Sequence, residues 1–318
     1  MGGVTVKRFD PAVNSSAWDS FVSNKAVNSS FIHLRSYMDY HADRFTDYSL
    51  LVTDSHGKIT AVLPAVKSDG EVVSHPGLTF GGLLTDSNCH HADIAVILDS
   101  LCSFLKNDGI RQLTITQPPF IYQSKPTQDV EYILSTRFNG TITRRRLLSV
   151  IDLNSGSKLS TLRKRCAARA QRASLTPGPS DDLDAFYVML TTNLAERHNA
   201  TPVHSLDEIK LLARRFPDNI KPFIICDGIR LVGSTLLYIS GQVVKTQYIA
   251  STTDGRDKGA VDLLLMSVIE MARQKGYRYL DLGSSESSPG IINSGLLFQK
   301  EGFGAGGVCL DTYTVNIK

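Results

Sequence analysis

The sequence predicts an α/β chain with mixed sheets, built as two tandem units with a cleft between them. Three observations predict it. Landmarks recur at nearly one offset, apolar residues fall at helical spacing at the matching place of each half, and 318 residues exceed what one core commonly organises and suit two.

The repeat decides the architecture before any propensity argument. Residues 101–116 and 269–283 both read as helix end, Gly, Arg and strand, with Gly109 and Gly276 separated by 167 positions. Upstream, Gly57 and Gly228 mark hairpin turns before β-rich runs, 171 positions apart, and Asp86 and Asp254 close matching strands at a separation of 168. Each copy therefore has the order hairpin, strand, loop, amphipathic helix, strand. Ile94, Ile97, Leu98, Leu101 and Leu105 carry the helical spacing in the first copy; Val261, Leu264, Leu265, Val268, Ile269 and Ala272 carry it in the second. The strand after each helix is expected to return beside the strand before it, as a parallel crossover. Further helices are expected over 16–25, 34–44, 159–173, 182–198 and 206–215. These place the units at 1–150 and 151–318.

Composition narrows the class. The chain is 42% hydrophobic and 20% charged, typical of a globular protein, with no apolar run near the roughly 20 residues that span a bilayer. The first ten residues lack a signal-peptide pattern, and a cytoplasmic location is expected. The five cysteines are scattered without a CxxC pair, which argues against a disulfide framework and a zinc site, so no metal is expected. Net charge is only +3, but Arg144, Arg145, Arg146, Arg163, Lys164, Arg165, Arg169 and Arg172 cluster at mid-chain. Such a cluster is a grip for a polyanion or a solvated helix face.

The segments FGGLLTD (80–86), GAVDLLLMSVIEMARQKGYRYLDLG (259–283) and FQKEGFG (298–304) carry a resemblance. With the order of elements, they resemble a tandem GNAT acyltransferase of the FemAB-like or BioF2-like kind, over essentially the whole chain. The resemblance implies N-acyl transfer to an amine on a sugar, peptide or cell-envelope precursor. It implies acyl-CoA as donor, acetyl-CoA first, with the second unit on the donor side and the first on the acceptor side. An aminoacyl-tRNA-dependent FemAB-type transferase is the alternative, with tRNA the less favoured partner for want of a coiled-coil insertion. A non-catalytic GNAT-fold binding module is a third reading. No oligomeric state follows.

Site residues are implied position by position. Arg256, Gly259 and Ala260 fit the loop that cradles a pyrophosphate at a helix N-terminus, although Val261 stands where Gly or Ala is usual. Ile249 and Ser251 complete the donor groove. Phe298 stands where many members carry an acid tyrosine, and a phenyl ring donates no proton. Either another group serves, with Tyr248 and Glu286 as the acid candidates, or no protein acid is needed because the leaving group is an aminoacyl-tRNA ribose and not a thiolate. Lys300 resembles a lysine that faces the donor and its developing charge, or else is a surface lysine. Arg35, Tyr37, His75 and Asp86 are the acceptor-binding candidates.

Overall fold

The helical spacings of the sequence become the two long helices that organise the cores. In helix His91–Asn107, Ile94, Ile97, Leu98, Leu101 and Leu105 are buried. In helix Ala260–Gln274, Leu264, Leu265, Val268, Ile269 and Ala272 are buried. Gly109 and Gly276 follow them at φ of +73° and +76°, a conformation that glycine adopts at little cost.

The computed structural model describes residues 3–156, 158–198 and 200–317, with only the backbone of Arg197 and His198. The chain forms two units, Met1–Arg146 with Cys309–Lys318, and Leu147–Val308. Residues 309–318, assigned from sequence to the second unit, go with the first. The reason is that the strand Gly306–Asn316 pairs there with Gln112–Thr116, Thr312 opposite Thr116.

In the first unit Thr5–Arg8, Leu50–Thr53, Ile59–Leu63 and Leu84–Thr85 form an antiparallel sheet in that order. Alternation splits Leu50–Thr53 between two cores. Leu50 and Val52 pack with Ile97, Leu101 and Leu113, while Leu51 packs with Trp18, Phe21 and Met38. The strand Gln112–Thr116 runs parallel to Glu71–Val73, not to the strand that immediately precedes the helix. That strand, Leu84–Thr85, is two residues long and pairs with Ile59–Leu63. The helix expected over 34–44 is one turn, Arg35–Met38, continued by a 3₁₀ run, Asp39–Arg44, that kinks at His41.

In the second unit the strand order is Thr141–Asp152, Tyr279–Ser284, Val243–Ser251, Arg230–Ser240, Ile220–Asp227, Thr176–Pro179. All neighbours are antiparallel except Val243–Ser251 and Tyr279–Ser284, the parallel pair that a helical crossover requires. One face of this sheet carries Leu237, Ile239, Val244, Leu280 and Leu282, packed with Leu264, Val268 and Ile269 and with Ala167 and Ala170 of helix Thr161–Arg172. The other face meets helix Leu183–His198: the Ser234 hydroxyl lies 3.4 Å from the Met189 sulfur, and Tyr248 packs near Phe186.

Candidate functional site

The site forms where the parallel pair of the second unit comes apart. Val243–Ser251 and Tyr279–Ser284 pair only through Val243 with Tyr279, Val244 with Leu280, and Lys245 with Asp281. Just past that rung the first strand has a bulge: Thr246 lies opposite Leu237 and Tyr248 opposite Leu236, leaving Gln247 over. The second strand shifts register between Asp281 and Ser284, where Gly283 takes φ of +72°. Bulges bend strands and end pairing. Beyond the last rung the facing edges of 246–251 and 282–284 are no longer laddered, which leaves a notch in the sheet.

Charge gathers at this rung. Val244, Leu280 and Leu282 point into the core under helix Ala260–Gln274, so alternation turns Lys245 and Asp281 to the opposite face. The Lys245 Nζ lies 3.3 Å from the Asp281 carboxylate, which also accepts the Gly283 N–H at 2.7 Å. Lys300 comes from the short helix Ser294–Glu301, capped by the Asn293 side chain. It is only 6% exposed. Its ammonium donates to the carbonyl oxygens of Gly283 at 3.1 Å and Ser284 at 2.7 Å. Burial lowers its pKa to about 8; Asp281 opposes the shift and Lys245 adds to it. Among the described residues these bonds use two of the three donors of the ammonium.

Tyr248 stands three residues beyond Lys245. With Thr246 and Gln247 sharing the bulge, Lys245 and Tyr248 share a face. The Tyr248 hydroxyl lies 2.7 Å from His204 Nδ1, and the His204 ring stands edge-on to it at 6.0 Å. Burial raises the phenol to about 12, with hydrogen bonds from the His204 backbone and the Gln247 side chain opposing. His204 sits immediately before Ser205, whose capping box with Glu208 starts the helix Leu206–Arg215 and fixes the loop.

The donor-loop candidates are used internally. Arg256 donates to the Ser251 carbonyl at 2.6 Å and to the Thr253 hydroxyl at 2.7 Å. Gly259 takes φ of +83°, and a Cβ there would lie 2.3 Å from the Cys166 carbonyl oxygen. Ala260 is buried, as is Asp262 in the first helical turn, which pairs with Arg163 at 2.7 Å. The first turn of that helix thus carries a paired carboxylate, and the Cys166 backbone packs closely on Gly259 at its cap. Ile249 is half-buried against the core, and Ser251 is buried with its carbonyl held by Asn193 at 2.9 Å. Glu286 accepts the Gly290 N–H at 3.2 Å, closing a small hairpin. Phe298 is exposed.

In the first unit Arg35 stacks on Phe9 at 3.5 Å and pairs with Asp47. Tyr37, Tyr40, His41 and His75 form a chain of rings with centroids 5.6, 4.1 and 5.1 Å apart. Burial, with His41 adding to it, lowers His75 to about 4. Asp86 stands apart, accepting from Asn88 at 2.8 Å and pairing with Lys58 at 3.2 Å. The structure thus brings Arg35, Tyr37 and His75 into one neighbourhood and Lys300 beside Lys245 and Asp281. Sequence reasoning missed Lys245, Asp281 and His204. Strand alternation opposite Val244 and Leu280 was the available signal for the first two; His204, in a loop, offered none.

Residues 157–288 match the family described as Acetyltransferase (GNAT) domain. Among solved structures the chain resembles FemX, with a TM-score of 0.68 at 11% identity over 98% of this chain and 97% of that one. It resembles L-PGS from Bacillus licheniformis, with a TM-score of 0.62 at 13% identity over 99% and 93%. It also resembles the C-terminal domain of a protein described as a lysylphosphatidylglycerol synthetase from Agrobacterium fabrum, with a TM-score of 0.61 at 13% identity over 96% and 93%. No curated protein matches the chain. The fold is the one shared with these structures, and residues 157–288 of its second unit match a GNAT acetyltransferase domain. Among the described residues, no helix is long and apolar enough to cross a membrane, and no group of three His, Cys, Asp or Glu could hold a metal ion.

Proposed function

We propose that the chain moves an acyl group from an activated donor to an amine on a sugar or cell-envelope precursor, with the reaction at the notch of the second unit. The observation that carries this reading is the buried Lys300 ammonium, held by two carbonyls with one donor to spare where the strands part. The amine nitrogen attacks the donor carbonyl, and an N–C bond forms as the carbonyl oxygen takes on negative charge. Lys300 stabilises that charge, a contact that strengthens as the charge develops. Collapse breaks the bond to the leaving group, and the proton that the nitrogen gives up replaces the one delivered to the leaving atom. Tyr248, kept as a phenol by burial, is the preferred proton donor. Glu286 is the weaker candidate because its carboxylate closes a turn.

Acyl-CoA is the donor generally expected of the domain. A second reading, an aminoacyl ester of tRNA, is supported by the Cys166 and Asp262 contacts around Gly259, which crowd the place where a pyrophosphate would lie. Exposed Arg165, Arg169 and Arg172, spaced i, i+4, i+7 on helix Thr161–Arg172, offer a stripe for a phosphate backbone. A cytoplasmic site of action goes with either donor, since both are made there. The test is to incubate the protein with acetyl-CoA or with a mixed aminoacyl-tRNA pool, each with an amino-sugar and a peptide-amine panel, and to detect new amides by mass. Lys300-dependent amide formation with either donor supports the reading; none with both removes it.

A further inference from the structure

We propose that His204 and Tyr248 form the proton relay of this site, with the Tyr248 hydroxyl touching the acceptor amine and His204 as the base behind it. The inference rests on the acyltransferase reading and adds to it a residue that the chemistry above does not use. Its geometric ground is threefold. Tyr248 Oη and His204 Nδ1 are 2.7 Å apart, short enough for direct proton passage. The bulge at Gln247 sets Tyr248 on the face of Lys245, beside the notch. His204 is 6% exposed and its loop is held by the capping box that follows it, so the imidazole has a fixed place behind the phenol.

The step balances. When the amine attacks, one of its N–H protons moves to Tyr248 Oη while the tyrosine's own proton moves to His204 Nδ1, leaving a neutral phenol and an imidazolium. Collapse of the tetrahedral intermediate leaves an anionic oxygen or sulfur. The relay then runs backwards: Tyr248 donates to the leaving atom, and His204 returns its proton to Tyr248. No charge stays on the enzyme after a turnover. Burial holds the phenol well above its ordinary pKa, so the tyrosine is not present as phenolate and needs a partner to take its proton as it accepts another. The ionisable groups facing the pair are Tyr187 and Glu208 from the two flanking helices, with Gln247 bonded to the phenol from the strand and Lys245 on the same strand face.

The test uses the full chain, the wild-type protein and three variants, with melting temperatures to confirm folding. Asn in His204→Asn can keep a hydrogen bond at the Nδ1 position but has no basicity. Tyr248→Phe removes the relay atom, and Glu208→Gln controls for the neighbouring charge. The expected result is a wild-type kcat that rises with pH to a plateau as the base of the relay loses its proton. His204→Asn and Tyr248→Phe should each lose about 10²-fold in kcat and lose that rise, with KM for the donor little changed, while Glu208→Gln keeps the rise. Wild-type transfer with variants that retain its rate and pH profile would overturn the relay and leave the acyltransferase reading standing. Absence of transfer by the wild type removes that reading, and the relay with it.

Discussion

The Lys300 ammonium lies 2.7 Å from the Ser284 carbonyl oxygen, tying the last helix of the second unit to the end of the strand that diverges from Val243–Ser251. The bond accounts for a buried lysine whose position is set by backbone, and hence for a fixed direction of its remaining donor.

This burial makes stability depend on pH in a definite sense. The folded pKa of Lys300, about 8, lies below its ordinary 10.5, so between those values the unfolded chain holds the extra proton and stability rises with pH. Below about pH 8 the cost of the buried charge is fully present. Comparing Lys300→Met with the wild type from about pH 7 to about pH 10 by denaturant unfolding should show the balance moving in favour of the wild type as pH rises. A constant difference across that window would mean the lysine is not depressed.

His33 and His75 work at the acid end. Burial lowers both to about 4 from an ordinary 6.5, so each favours the folded state fully above pH 6.5 and loses that contribution as pH falls towards 4. His75→Gln should unfold less steeply between those pH values than the wild type, as read by circular dichroism. An unchanged acid transition would count against His75 as a contributor.

Gly259 tests the account of the closed donor loop. With positive φ and the Cys166 carbonyl 2.3 Å from any added Cβ, Gly259→Ala must strain the backbone or push neighbouring helices apart. A loss of about 1–3 kcal/mol in unfolding free energy is expected. A variant as stable as the wild type would show the loop to be open.

The arginine stripe separates the donors. If the donor is an aminoacyl-tRNA, Arg165→Gln, Arg169→Gln and Arg172→Gln should each weaken tRNA binding and reduce the slope of log K against log salt by about 0.9 for each phosphate no longer neutralised. Acyl-CoA binding should be insensitive to all three. Equal tRNA affinity and slope in the triple variant would remove the stripe from the reading.

The fold was legible because its signals are periodic. Buried positions of the helices at 91–107 and 260–274 could be read from apolar spacing, and the two glycines that end them from their offset. Arg256 and Gly259 illustrate the limit: their spacing suggests a phosphate loop, but the Cys166 backbone and Arg163 that pack around it come from a distant stretch of the chain and leave no local pattern. Arg35 and Asp86 likewise resemble ligand contacts in sequence and are tied to Asp47 and Lys58 in space. Lys300 and Tyr248 could be singled out, but not their partners. Asp281 and His204 owe their places to a strand register and to a capped loop, neither of which leaves a local pattern.

The most direct test of the central claim is the rate of acyl transfer by Lys300→Met, measured as kcat/KM with whichever donor the wild type uses and with folding checked by melting temperature. Removing one preorganised charge from the oxyanion should cost about 2–4 kcal/mol of transition-state stabilisation, with most of the effect in kcat. A folded variant that turns over at the wild-type rate with unaltered donor affinity would contradict the account, because the notch would then do its chemistry without the lysine it is built around.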